Sequence, residues 1–477
     1  MKVLFTAAEC APFFKTGGLG DVAGALPKSI AKKGNEVRVV LPFYTTMPEQ
    51  YQAQLVDLFN FNVAVGWRNA YCGVKLLEMD GIKYYFLDNK YYFDRPEVYG
   101  YYDDGERYAF FQQAVIELME RIEYIPDILH VNDYHTAFIP FLLREKYSWI
   151  KVFEHIKTVL TIHNLEFQGQ YGSDVMPELF GMSTERYDDG TIRMGTAVNF
   201  MKAGILYADR VNTVSPSYAS EIQTLEFGCG LDGILRMVDY KLSGILNGID
   251  YDNFDPNNDP ALVANFTAKD LSGKAKNKAA LQEKFGLPVR KDVPLIGVVS
   301  RLTYQKGFQL VVQEMANLMQ FDVQFVLLGT GYANFEHDFN YFAGRYPDKC
   351  SVAIDFDVDL AQQIYAGCDL FLMPSAFEPC GLSQLISMRY GTLPVVHQIG
   401  GLRDSVWAYD PLKKVGTGFG FEEFSSYWMM EQLKLAIDVY NNQPKVWKKM
   451  MKTAMKSDFS WDSASQNYLD LYHQIAQ

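Results

Sequence analysis

Residues 294–308 read Pro294-Leu295-Ile296-Gly297-Val298-Val299-Ser300-Arg301-Leu302-Thr303-Tyr304-Gln305-Lys306-Gly307-Phe308. An almost unbroken apolar run gives way to a polar loop carrying two cations, and then to the helical period of Phe308–Met319. A strand apolar throughout, rather than at alternate positions, is buried on both faces, which happens in parallel sheets covered by helices. The stretch predicts a strand, a loop at its carboxyl end and a crossover helix.

The same unit recurs along the chain. Apolar runs stand at Lys2–Thr6, Glu36–Leu41, Ile128–Val131, Thr158–Ile162, Arg210–Val214, Phe325–Leu328, Leu370–Met373 and Leu393–Val396. Between them lie segments of helical period such as Gly20–Lys33, Tyr108–Arg121 and Leu360–Ala366. This alternation predicts an α/β protein built from parallel, doubly wound sheets. A turn-rich stretch, Asn247–Pro256, interrupts it, and after a Lys-rich helix (Lys274–Phe285) a fresh strand begins. Residues 1–246 and 257–458 are therefore expected as two domains, with 247–256 as a hinge linker and 459–477 as a last amphipathic helix.

Doubly wound sheets bind ligands beyond the carboxyl ends of their strands. Chemically unusual residues gather there: Glu9, His130 to His135, His163-Asn164, Ser215-Pro216, Arg301, Gly329 and Ser375. Their number, in both halves, predicts one cleft between two domains.

Composition narrows the ligand. The 477 residues carry a formal net charge of -13, against the basic face that a phosphodiester backbone demands, so no nucleic-acid partner is expected. No apolar run reaches the ~18 residues of a membrane span, and no basic-then-apolar leader follows Met1, so a cytoplasmic protein is expected. The six scattered cysteines lack a CxxC pair and fit a reducing compartment. Aromatic residues make up 15%, which suits either sugar stacking or two well-filled cores.

Three motif matches carry no chemistry. Gly228-Cys229-Gly230-Leu231-Asp232-Gly233 fits GxGxxG but follows no buried strand. Asp355-Phe356-Asp357-Val358-Asp359 starts like a calcium loop but has Leu360 and Ala366 where Gly and Glu are required. The histidines show no compact zinc spacing. No metal and no cofactor are expected.

Four loops carry chemistry. Lys15-Thr16-Gly17-Gly18-Leu19-Gly20-Asp21 opens a helix after the first strand, as an anion-binding turn or as a plain glycine turn with a surface lysine. Arg301 and Lys306, five residues apart, clamp a diphosphate or serve salt bridges. In Pro374-Ser375-Ala376-Phe377-Glu378-Pro379-Cys380-Gly381-Leu382-Ser383-Gln384, Glu378 orients sugar hydroxyls beside a helix end or acts as a cap. Gly400-Gly401-Leu402-Arg403-Asp404 repeats the strand–glycine–helix arrangement.

With Thr161-Ile162-His163-Asn164 and Leu246-Asn247-Gly248-Ile249-Asp250, these segments resemble, in order and over essentially the whole chain, the bacterial glycogen synthase and plant starch synthase family. The resemblance implies the GT-B architecture: two facing Rossmann-like domains, with the last helix crossing back to the first. It implies a retaining transfer of glucose from ADP-glucose to the non-reducing end of an α-1,4-glucan such as glycogen. By position, Lys15, Gly17, Gly18 and Asp21 would contact the donor from the first domain, and His163, Asn164 and Asn247 would hold its glucose. Arg301 and Lys306 would grip the pyrophosphate and Phe356 would pack on the base. Glu378, Cys380, Gly381, Leu382 and Ser383 would surround the glucose and the departing phosphate. The catalytic set is then Glu378, His163, Arg301 and Lys306. The aromatic segment Tyr91–Tyr102, with Tyr92, Arg95 and Tyr99, is the candidate glucan platform or else a core-packing loop; Asp133 and Tyr134 join it on the acceptor side. Ala376, Ile399, Asn132 and Phe356 depart from the commonest family residues, which bears on acceptor binding and kinetic tuning. Competing readings are a related transferase with another sugar nucleotide or acceptor, a phosphorylase with a pyridoxal phosphate lysine, and a non-catalytic glucan binder. Oligomerisation is left open.

Overall fold

A computed structural model describes residues 1–476. The chain forms two compact units, one of Met1–Ile245 together with the C-terminal helix Trp461–His473, the other of Leu246–Ser460.

Unit 1 is built on a nine-stranded sheet. Its strands are β1 (Lys2–Thr6), β2 (Glu36–Pro42), β3 (Val56–Val65), β4 (Arg68–Met79), β5 (Ile82–Asp88), β6 (Ile128–Asn132), β7 (Lys157–Ile162), β8 (Arg210–Thr213) and β9 (Leu242–Gly244). The spatial order is β9-β8-β7-β6-β1-β2-β5-β4-β3. Every pairing from β9 to β5 is parallel. Helices α1 (Gly18–Lys32) and α2 (Asp104–Arg121) belong to this unit.

One expectation needs correction: the sheet is not wholly parallel. β4 runs antiparallel to both β5 and β3. The β3 sequence alternates, Val-Asp-Leu-Phe-Asn-Phe-Asn, with Val56 and Leu58 exposed. A search for continuous apolar runs finds strands buried on both faces and passes over such an edge hairpin.

The C-terminal helix packs along α1. Ser29 Oγ donates to the Trp461 carbonyl at 3.0 Å and meets Ser465 Oγ at 2.8 Å. Tyr472 Oη lies 2.6 Å from His130 Nδ1, so that strand-end histidine is taken by the fold.

Unit 2 holds a six-stranded sheet, parallel throughout. Its elements are α3 (Ser272–Lys284), β10 (Leu295–Val299), α4 (Phe308–Leu318), β11 (Gln324–Leu328), β12 (Cys350–Ala353), α5 (Val358–Gly367), β13 (Leu370–Met373), α6 (Ser383–Arg389), β14 (Leu393–His397) and β15 (Phe419–Phe421). The order is β12-β11-β10-β13-β14-β15. The stretch Asn247–Pro256, expected as a linker, is packed into this unit: Tyr251 and Phe254 lie against its core, and Arg389 Nε donates to the Phe254 carbonyl at 3.1 Å.

Each sheet has a point where successive crossovers diverge, β1 beside β6 in unit 1 and β10 beside β13 in unit 2. There the strand ends open a crevice, because the connecting helices leave to opposite sides. The loops after β1, β6, β10 and β13 hold most of the residues singled out from the sequence.

Candidate active site

In unit 2 the loop after β10 is stitched to the loop after β13. The Ala376 N–H donates to the Gln305 carbonyl at 2.8 Å, and Gln305 Nε2 to the Phe377 carbonyl at 3.3 Å. Gly307 sits at φ +79°, and a Cβ there would run into the Pro374 carbonyl oxygen. Close approach of the two loops therefore needs glycine. A third loop joins them, since the Gly401 N–H donates to the Glu378 carbonyl at 3.0 Å.

This stitching brings Lys306 Nζ to 2.7 Å from Glu378 Oε2, which also accepts the Ser375 hydroxyl at 2.9 Å. Glu378 is buried; Arg301 is exposed and in no ion pair among the described residues. Beside them opens a cavity of about 190 Å³, lined by Arg301, Lys306, Ser300, Ser375 and Ser383 over an apolar floor of Val299, Phe308, Leu372 and Met373. Ser383 is oriented by Tyr365, whose hydroxyl donates to it at 3.0 Å. A cavity walled by two cations and three hydroxyls suits a multiply charged oxyanion.

Around Glu378 the loop is tightly determined. Gly381 adopts φ +74°, and Gln384 Nε2 donates to the carbonyls of Cys380 and Gly381 at 3.0 and 2.8 Å. Burial pushes the Cys380 thiol up to about 12, so it stays protonated. The Asn247 backbone hydrogen-bonds that thiol. The Asn247 side chain is buried, and its Oδ1 has no partner among the described residues, a state that a ligand donor would relieve. Phe356 stands apart, 85% exposed, at the start of α5.

In unit 1 the loop after β1 folds around Glu9. Its carboxylate accepts the N–H groups of Thr16, Gly17 and Gly20 at 2.9, 3.1 and 2.8 Å. This corrects the expectation that those glycine N–H groups face a ligand anion, because the anion at the start of α1 belongs to the chain itself. The outer side of the loop is open: a Cβ on Gly17 or Gly18 would meet nothing within 4 Å. Lys15 lies over this turn, 2.6 Å from Asp21.

His163 ends β7. Its N–H donates to Asp133 Oδ1 at 2.7 Å, and its Nε2 lies 2.9 Å from Asn132 Oδ1. Asn132 Nδ2 donates to the Thr6 carbonyl at 3.0 Å, which orients the amide so that Oδ1 accepts from the imidazole. The proton therefore sits on Nε2 and leaves Nδ1 a bare acceptor. Burial pushes the imidazole down to about 3, so it is neutral. Asp133 occupies φ +54° and receives backbone N–H groups from His163 and Asn164, yet burial holds its carboxyl up at about 7. Asn164 Oδ1 is engaged with the Glu166 N–H at 3.0 Å.

The acceptor candidates divide. Tyr92 is 2% exposed, its hydroxyl donating to Glu106 at 2.7 Å and its ring packed against Phe110, so it is a core residue and offers no platform. Arg95 is committed to Asp103 through both terminal nitrogens and lies over the Tyr101 ring. The open rings of that segment are Tyr91 and Tyr102, 68% and 98% exposed. Tyr99 stacks on His135 at 4.5 Å, and Tyr134 packs on the same imidazole at 3.8 Å.

Two residues at the centre of these networks, Glu9 and Ser375, stand out in the sequence only by lying after strands; an acid six positions before a glycine-rich turn is the available signal for the first. The unused motifs resolve as structure. Asp357 caps α5 by accepting the Leu360 N–H at 2.9 Å, and the residues leading into Gly228 form turns, not a strand. Among the described residues no group of three or more His, Cys, Asp or Glu is arranged to hold a metal ion, and no helix is long and apolar enough to cross a membrane. None of the six cysteines is paired.

Residues 2–237 match the starch synthase catalytic domain family and residues 293–410 match glycosyl transferases group 1. The chain is 67% identical over 476 residues to a protein of Ligilactobacillus salivarius named glycogen synthase, covering 100% of both chains. It is 61% identical over 476 residues, with the same coverage, to one of Streptococcus mutans of the same name. Among solved structures, the catalytic domain of starch synthase IV from Arabidopsis thaliana, bound to ADP and acarbose, superposes with a TM-score of 0.92 at 34% identity, covering 99% of each chain.

Proposed function

The chain belongs to the glycogen and starch synthase family of GT-B glycosyltransferases, and from that premise we propose that it transfers glucose from ADP-glucose to the non-reducing end of an α-1,4-glucan, elongating glycogen in the cytoplasm. The observation that carries the reading is the cavity of unit 2, where Arg301 and Lys306 share one wall and Lys306 is paired with Glu378.

Breaking the anomeric C–O bond leaves negative charge on the ADP phosphate and positive charge on the sugar. Arg301 and Lys306 offset the first, with Ser383 as a hydrogen-bond donor. The helix that opens at Ser383 spans seven residues, and the field is assigned chiefly to the two full charges rather than to its partial one. Glu378 and Asn247 hold sugar hydroxyls, and Phe356 takes the base. No step calls for a metal or a cofactor. Because Glu378 is held by Lys306 and Ser375, it is assigned to sugar binding, not to covalent attack. The glucan 4-hydroxyl attacks the anomeric carbon on the face the phosphate leaves, and its proton passes to the phosphate oxygen. In unit 1, Lys15, Gly17, Gly18 and His163 contact the donor, while Tyr99, Asp133 and Tyr134 form the glucan side.

Purified protein should release ADP from ADP-glucose only when glycogen is present. Release at the same rate without glycogen, or with UDP-glucose preferred, would overturn the assignment of acceptor or donor.

A further inference from the structure

Glu9 is 1% exposed and accepts five hydrogen bonds. Four come from its own loop: the Thr16 N–H and hydroxyl, the Gly17 N–H and the Gly20 N–H. The fifth is the Tyr99 hydroxyl at 3.2 Å, from the aromatic segment 90 positions along the chain. A turn with glycine at 17, 18 and 20 has more backbone freedom than one with side chains at those positions. One buried carboxylate removes that freedom, since it gathers three N–H groups of the turn at once and supplies the negative charge favoured at the start of α1. The side of Gly17 and Gly18 that faces away from Glu9 stays open.

We propose that Glu9 is the positioning residue of the donor loop: it sets the shape in which Lys15, Gly17 and Gly18 meet the donor, and through Tyr99 it ties that shape to the acceptor-side segment. It touches neither donor nor glucan itself. The inference rests on the reading of Lys15–Gly18 as donor contacts.

The test uses the full-length enzyme, with initial rates measured against ADP-glucose and glycogen separately. Glu9→Gln puts an amide N–H₂ where acceptors are needed and should raise the KM for ADP-glucose about tenfold, with kcat changed less than threefold. Thr16→Val removes one donor from an exposed position and should raise the same KM severalfold, whereas Thr16→Ser should restore it. Tyr99→Phe deletes only the hydroxyl that Glu9 accepts and should raise the KM for ADP-glucose severalfold. Should Glu9→Gln fail to fold, the Thr16 and Tyr99 variants decide. Donor KM unchanged in all of them, with kcat falling in step with Tm, would show a merely structural carboxylate and overturn the proposal. A Tyr99→Phe effect confined to glycogen would also overturn it. Wild-type protein inactive with ADP-glucose and glycogen overturns the functional reading instead.

Discussion

The Lys306 ammonium and the Glu378 carboxylate, 72 positions apart in the chain, meet at 2.7 Å because β10 and β13 are neighbours in the sheet of unit 2. Each partner screens the other's burial, so neither is a free charge in the resting protein. The residue assigned to phosphate and the residue assigned to sugar are thus one electrostatic unit.

Glu378→Ala should lower kcat by ~10²–10³, since the lost contact is to sugar in the transition state, while ADP binds no more weakly and up to severalfold tighter, because Lys306 loses the carboxylate it is paired with. Steady-state rates and calorimetric ADP binding check this together. Near-normal turnover would remove Glu378 from the site.

Arg301→Ala and Lys306→Ala should each depress kcat/KM strongly, and the double variant should lose less than the product of the two. Both side chains line the same cavity, so their effects on one diphosphate are coupled. Clean multiplicativity would place them on separate ligands.

Activity should survive EDTA. Asp357, the middle acid of the Asp355–Asp359 string, spends its carboxylate on the cap of α5. Asp357→Ala should therefore cost about 1 kcal/mol of stability and leave activity independent of added metal. Loss on chelation, restored by Mn²⁺ or Mg²⁺, would refute this.

Glycine substitutions should separate stability from binding. Gly307→Ala meets both a left-handed backbone and the Pro374 carbonyl, and should lower Tm by several degrees, the strain alone costing about 1–3 kcal/mol. Gly18→Ala meets nothing, so Tm should hold while the KM for ADP-glucose rises. Equal thermal losses in the two would sink the idea that Gly18 is kept open for a ligand.

Stability should fall as pH drops below 6.5. Burial holds His130, His135 and His163 down at about 3, so between pH 3 and 6.5 the unfolded chain binds protons that the folded chain refuses. Their contribution is full above 6.5 and is lost on acidification. Asp133, held up at about 7, acts oppositely: the folded chain keeps a proton that the unfolded chain sheds near 3.8, and that stability is lost as pH rises through the window. His397, also held down by burial, joins the histidines, while Asp88 and Glu117, held up by burial, join Asp133, and the large shifts of the three strand-end histidines set the net sign. Urea unfolding at pH 7, 6 and 5 measures the slope, and His135→Phe should reduce it by up to one proton's share, about 1.4 kcal/mol per pH unit. His135 is the useful choice because neither ring nitrogen has a partner among the described residues. An unchanged slope would mean that its imidazole titrates in the folded protein.

Much of the architecture is local in origin. Strands such as Leu295–Val299 and Gln324–Leu328 are buried on both faces, so their burial is written as unbroken apolar sequence. Loops at their carboxyl ends stand out because charge and glycine interrupt that pattern. The alternating β3–β4 hairpin carries no such signature, being half exposed at the sheet edge.

The chain order of residues by itself determined the two α/β halves, the strand-end loops to which the chemistry is assigned, and the presence of Lys15, His163, Arg301, Lys306 and Glu378 in them. Only the tertiary structure decided which of these charges meet. Strand order in the sheets places Lys306 on Glu378. It is the folding of the loop after β1 that wraps the glycine turn around Glu9, and the packing of the segment before α2 that turns Tyr92 inward while leaving Tyr102 in solvent. The reason is physical: burial along a strand is a property of neighbouring residues, whereas a hydrogen bond between side chains 72 or 90 positions apart depends on which strands lie side by side, and no local pattern encodes that.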